Sequence, residues 1–236
     1  MMYRIFAAAM AAGLLAAVLI SLVEVYTTTP MILAAEALEV GAPVIHDTLQ
    51  PDKIDPGNVS HAHDPNAWAP ENGLERFLYT LLANAVTGIS FSLMLVVGLT
   101  YGERKVDHVK GLLLALCGFT AFTLAPVLGL PPELPAMPTV DLQDRQVWWA
   151  LTVGCTMAAL YCIFVGTSEP LKLVGLALLI VPHVVGAPHP ASDVSQVPAT
   201  LAARFAAASI VVSALFWFII GLSSPIFFNH FKGKGA

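Results

Sequence analysis

The chain has 236 residues, of which 57% are hydrophobic and 11% charged, and its mean hydropathy is +0.75. Soluble domains carry about 25% charge, so this composition excludes a disordered chain, argues against an ordinary soluble enzyme and points to a membrane protein with short wet segments. A net charge of −5 leaves no basic surface to neutralise the phosphates of a nucleic acid.

Taken in chain order, six stretches are apolar enough to form membrane-spanning helices: 5–23, 77–99, 111–130, 147–165, 171–187 and 199–222. The first follows Arg4 like a signal peptide, but its apolar core of about 19 residues exceeds the 7–15 of such a segment, so it reads as a retained helix. Its Ala9, Gly13 and Ala17 recur every four residues, a spacing that suits close packing against another helix. Between the first two spans lies the one large wet segment, 25–75. Thr29 and Pro30 read there as the cap and first residue of a short helix over about 30–40, closed by Gly41. Residues 42–73 turn to Pro, Asp, Asn, His and Gly and cannot build a core of their own, so they must drape over the bundle. Pro131, Pro132 and Pro135 end the third span in an extended turn that carries Glu133. Trp148 and Trp149 open the fourth span as an aromatic interface anchor. The fifth span is the shortest, and Pro182 should kink or end it. Cys117, Cys155 and Cys162 all lie in apolar runs and read as free thiols. The fold expected is therefore an all-α polytopic bundle of six spans, or five, in a single membrane domain with one long outer loop.

Charge orients it. With the N-terminus in the cytoplasm and six spans, Arg4, Arg104, Lys105, Lys110, Lys172, Lys232 and Lys234 lie inside, against Lys53, Arg76, Arg145 and Arg204 outside. That asymmetry follows the positive-inside rule and puts both termini in the cytoplasm. Thirteen of the sixteen acidic residues then fall on the outer face, where a negative field would concentrate cations.

Histidine placement is the most informative chemical feature. His61 and His63 are two residues apart in the wet loop and can project to one side of an extended strand of chain. With Asp64 or His46 they could ligate a divalent ion, since imidazole with oxygen donors suits Co, Ni, Zn and Cu. Glu36 and Glu39, three apart on the short helix, share a face that either binds a cation or is simply its polar side. His183 and His189 flank the proline-rich end of the fifth span, where non-helical backbone would be tolerated beside a wet cavity. Glu24 sits at the outer end of the first span, and Asn84, Thr87, Thr120, Thr123 and Thr152 are interhelical glue or pathway. Outer turns would present Glu36, Glu39, Glu133, His183 and His189 to one vestibule. The sequence lacks a P-loop, an HExxH helix and a nucleophile elbow, so neither ATP hydrolysis nor a familiar hydrolytic enzyme is expected. Energy for transport must come from the membrane potential, an ion gradient or a partner.

The stretches PMILAAEALE (30–39), WAPENGLER (68–76), GFTAFTLAPVLGLPPELP (118–135), RQVWW (145–149), PHVVGAPHP (182–190) and VPATL leading to Phe205 resemble the CbtA family of predicted cobalt transporter subunits. The resemblance implies a bacterial inner-membrane protein that takes up Co2+ beside cobalamin-related genes, with no permanently bound cofactor. It also implies a second component, CbtB, that is small, single-span and histidine-rich, and a description with five spans rather than six. Glu36, Glu39, His183 and His189 fall on the family's motif positions; His61 and His63 do not. Ni2+ or Zn2+ remain compatible with the same ligand types. Two other readings stay open: a non-transporting metal-binding or assembly protein, and, with least support, a membrane enzyme with a histidine-bound metal.

Overall fold

A computed structural model describes residues 1–40, 68–101, 106–191 and 194–231. Its described residues form seven helices and no strand. They are α1 (Met2–Tyr26), α2 (Thr28–Val40), α3 (Leu74–Thr100), α4 (His108–Val127), α5 (Leu142–Phe164), α6 (Glu169–Val185) and α7 (Ala199–His230). Among them α1, α3, α4, α5 and α7 are long and apolar enough to cross a membrane. The sequence favoured six; α6, with 17 residues, falls short of that length. Large apolar side chains face outward along these helices, among them Leu82, Val86, Leu113, Tyr161 and Val211. Such a surface suits lipid rather than water.

Small residues bring the first two long helices together. Ala8, Ala9, Ala12, Gly13, Ala16 and Ala17 form the buried stripe of α1. Gly13 lies against the backbone of Gly88 and Ile89, and a Cβ on Gly88 would stand 2.6 Å from the Gly13 carbonyl oxygen. Lipid tails are as apolar as leucine, so close backbone approach rather than exclusion of water holds such helices together. On the other side of α1, the Arg4 guanidinium donates to the Phe228 carbonyl at 3.3 Å and covers the Phe228 ring at 4.4 Å. Gly111 packs on Gly221 and Pro225, and Gly118 on the Trp217 ring, which joins α4 to α7. Phe91 meets Trp217 and Phe122 at ring-centroid distances of 4.9 and 5.1 Å, so aromatic rings fill the centre of the bundle.

These contacts fix direction. Arg4 beside Phe228, Gly111 against Gly221 and Pro225, and Trp148 6.2 Å from His183 each pair the start of one helix with the end of another. Gly175 of α6 rests against Ala159, Ile163 and Cys162 of α5. The long helices and α6 therefore alternate, with residues 1, 101, 106–107, 165–168 and 231 at one end and the α1–α2 elbow, residues 128–141, 186–191 and 194–198 at the other. The first is called here the terminal end and the second the loop end.

Several local expectations are revised. Helix α2 begins at Thr28, so Thr29 lies within it rather than capping it; α1 and α2 meet in an elbow at Thr27, whose hydroxyl donates to the Val23 carbonyl at 2.7 Å. Pro182 is buried within the last turn of α6 and does not break it. A proline there costs one hydrogen bond, and the helix runs one turn further to Gly186, which at φ 86° takes a conformation open to glycine. Helix α7 passes through Pro225 and ends eight residues beyond the expected boundary. Trp148 is no interface anchor: it is buried against Gly129 and His183 because the 128–141 turn folds back over the α5–α6 pair. Residues Thr120–Leu124 of α4 form a π-helical turn where Phe122 enters the aromatic centre.

Candidate cation site at the loop end

Among the described residues, the loop end holds Glu24, Glu36, Glu133, His183 and His189, all singled out by the sequence. Ala35 of α2, Leu134 of the proline-rich turn and Val197 before α7 form one buried apolar cluster, ringed by Ile32, Met137, Leu201 and Phe205. Three separated motifs thus meet by packing. Two of their acidic side chains, Glu36 and Glu133, are each paired with an arginine. Arg76, in the first turn of α3, donates from both terminal nitrogens to the two Glu36 oxygens at 2.9 Å. Arg145, in the first turn of α5, sits 2.9 Å from Glu133 Oε2. Bidentate pairing satisfies the carboxylate and fixes its direction, which leaves little of Glu36 for a metal. The sequence held the signal for both pairs, because each acidic motif has a basic counterpart: Arg76 in WAPENGLER and Arg145 in RQVWW.

His183 is half-buried in the last turn of α6 with its ring edge-on to Trp148. A histidine is favourable there on dipole grounds alone. His189 is exposed four residues past the helix end. Glu39 belongs to the last turn of α2, with its side chain outside the described part, and His46, His61, His63 and Asp64 lie outside the described residues altogether. Among the described residues no three His, Cys, Asp or Glu side chains stand together as a metal shell. Among the described residues Glu36 and Glu133 turn to arginines and His183 to a tryptophan, so residues expected at one vestibule share an end of the bundle without forming a metal shell.

What the structure does assemble is centred on Glu24. The side-chain amide of Asn84 on α3 donates to Glu24 Oε2 at 2.6 Å and to Ser21 Oγ at 3.0 Å. Ser21 is fully buried, and Glu24 and Asn84 are half-buried. Glu24 also lines a cleft of about 190 Å³ with Thr28 and Ile32 of α2 and with Phe205, Ser209, Val212 and Ser213 of α7. The elbow from α1 into α2 makes this possible, since the break at Thr27 brings Thr28 and Ile32 to the same cleft as Glu24. A second cleft, of about 250 Å³, lies on the other flank of the elbow between Val25, Thr29, Pro30 and Leu33 and the first turns of α3. Sequence reasoning had Glu24 as a weaker candidate and Asn84 as glue, and it missed Ser209 and Ser213. Two serines four residues apart in an apolar helix were a visible signal, but their partner was not.

Long apolar helices, a lipid-facing surface and a carboxylate held inside the bundle define a multi-pass helical membrane protein. The chain belongs to the CbtA family, described as a probable cobalt transporter subunit, and the family model matches residues 2–229. No curated protein and no solved structure matches it.

Proposed function

We propose that this protein is the membrane subunit of a cobalt uptake transporter of the bacterial inner membrane, supplying Co2+ for cobalamin synthesis. It works with a small, single-span, histidine-rich partner. The observation that carries the reading is the family match over nearly the whole chain. Glu24, bonded to Asn84 and lining a cleft with Thr28, Ser209 and Ser213 between apolar helices, supports it, because ionisable groups within membrane helices are costly and mark ion pathways. In this reading α6 is a sixth crossing. Its 17 residues reach about 25 Å at a rise of 1.5 Å each, near the lower limit for a span. It also runs beside α5 from Cys162 to Trp148. Six crossings put the loop end outside and both termini in the cytoplasm, in agreement with the bias of Lys and Arg.

A second reading, a metal-binding or assembly protein that does not itself transport, is favoured by the lack of a three-ligand metal shell among the described residues. Radiolabelled cobalt accumulation separates the two. Cells lacking their own cobalt and nickel uptake would express this chain with and without the small partner, and as a His183→Ala/His189→Ala variant. Uptake that requires the chain is the expected result, and its loss in the histidine variant would place the metal path beside the end of α6. Normal membrane insertion with no uptake under either condition would establish the binding or assembly role instead.

A further inference from the structure

The donor set around Glu24 differs from what a transition metal prefers. The cleft and its immediate partners offer one carboxylate, one amide and the hydroxyls of Ser21, Thr28, Ser209 and Ser213. Among the described residues neither imidazole nor thiolate lines it, whereas those are the ligands that hold cobalt, nickel or zinc firmly. Charge makes the same distinction. The described residues of the cleft supply a single carboxylate, and a dication beside it would keep a net positive charge in a partly desolvated site, at a desolvation cost. A proton or a Na+ ion would neutralise the carboxylate and leave none.

Among the described residues, the neighbouring elements do not change this balance. On α3, Arg76 is held by Glu36 of α2, and the Glu75 carboxylate accepts from the Glu71 backbone N–H. Tyr79 of α3 and Arg204 of α7 are exposed, as is Tyr26 on α1 itself, and none of them lines the cleft. Arg4 lies at the opposite end of α1, bonded to Phe228. The site also has a floor. Phe91 lies two helical turns along α3 from Asn84, and Trp217 one turn along α7 from Ser213; their ring centroids are 4.9 Å apart. Phe216 and Phe122 complete the closure, at 6.1 and 5.1 Å from Phe91. A small cation reaching Glu24 is therefore separated from the terminal end by packed rings, as a transporter that exposes its site to one side at a time requires.

We propose that Glu24, held by Asn84, is the binding site of a monovalent coupling cation, a proton or Na+, whose gradient drives accumulation of the metal. The carboxylate takes up the cation from the loop end, crosses the closed state as a neutral pair, and releases it at the terminal end. The inference rests on the transport reading above and adds an energy source to it.

The test uses the full chain with its partner in proteoliposomes, with the membrane potential clamped to zero so that the charge on the metal supplies no drive. A tenfold inward gradient of one coupled cation then sustains about a tenfold metal accumulation, since each factor of ten is worth the same free energy for either species. A pH gradient and a Na+ gradient are imposed in separate arms and identify the cation. Glu24→Gln keeps the hydrogen bond from Asn84 and loses the charge. It is expected to lose accumulation while retaining equilibrium exchange of radiolabelled cobalt, and Glu24→Asp to recover part of the accumulation. Loss of exchange together with accumulation in a correctly inserted Glu24→Gln protein would overturn the proposal, as would accumulation that survives that change. So would wild-type protein that exchanges cobalt but never concentrates it under either gradient.

Should the wild-type protein exchange no cobalt, the transport reading itself fails, and a binding readout decides the site. A hydrophobic carbodiimide, which attacks protonated carboxyls in apolar surroundings, would be mapped by mass spectrometry. Modification of Glu24 that Na+ or alkaline pH suppresses supports a monovalent cation site. Protection by Co2+ at equal ionic strength, or no modification of Glu24, overturns it.

Discussion

Glu36 and Glu133 show how a residue's chemistry depends on what faces it. Each is an acid on the loop end of a membrane protein, and each is neutralised by an arginine from the first turn of another helix. The Glu36–Arg76 pair is partly shielded, with side chains 35% and 21% exposed, so it lies between a solvated surface pair and a desolvated one. Replacing Glu36 with Gln should cost about 1 kcal/mol of stability, the upper end for exposed pairs and the lower end for charge-assisted bonds. Thermal unfolding in detergent measures it, and the reversed pair Glu36→Arg/Arg76→Glu should recover much of the loss. A reversed pair no more stable than the single variants would show that the guanidinium is held by other groups. Trp148 makes the companion point: its ring is buried where an interface anchor was expected, because His183 and the turn at Gly129 close over it.

Packing between elements is set by where side chains are missing. The spacing of Ala9, Gly13 and Ala17 already indicated that α1 packs closely on another helix, but not on which one. Gly88→Ala would push a methyl group into the Gly13 carbonyl, 2.6 Å away, and both sides of that contact are backbone. The expected cost is about 1–3 kcal/mol, as for other overpacked sites. At Gly154 of α5 a Cβ meets nothing within 4 Å, so Gly154→Ala should be neutral or gain up to about 1 kcal/mol from helix propensity. Unfolding midpoints of the two variants in one detergent provide the comparison; equal shifts would mean that the α1–α3 contact is not held by close approach. Proline is read less well at this scale. Pro182 and Pro225 lie inside helices that continue past them, because packing on neighbouring helices offsets the lost bond.

For the molecule as a whole, alternation of the helices places residues 1 and 231 at one end, where Arg4 touches Phe228 and the Asn229 amide donates to the Val106 carbonyl at 2.9 Å. Reporter fusions before Met1 and after Ala236 should therefore report the same compartment, and a fusion at Thr139 the opposite one. Opposite locations for the two termini would mean that α6 does not cross and that five helices span the membrane. The Glu24 site belongs to this scale too, since it draws on α1, α2, α3 and α7 together.

The sequence by itself determined the solvent this chain lives in, the long apolar helices, the presence of a short helix after the first of them, and the family. Hydropathy and motif spacing are properties of contiguous residues, and they need no partner to be legible. Only the tertiary structure decided which polar groups remain open to a ligand. Glu36 and Glu133 were as prominent in the sequence as Glu24, yet arginines distant in the chain occupy the first two, while Asn84 and two serines of α7 surround the third. A carboxylate's role is set by charge and donors within a few ångströms, and in a helical bundle those come from residues tens to hundreds of positions away.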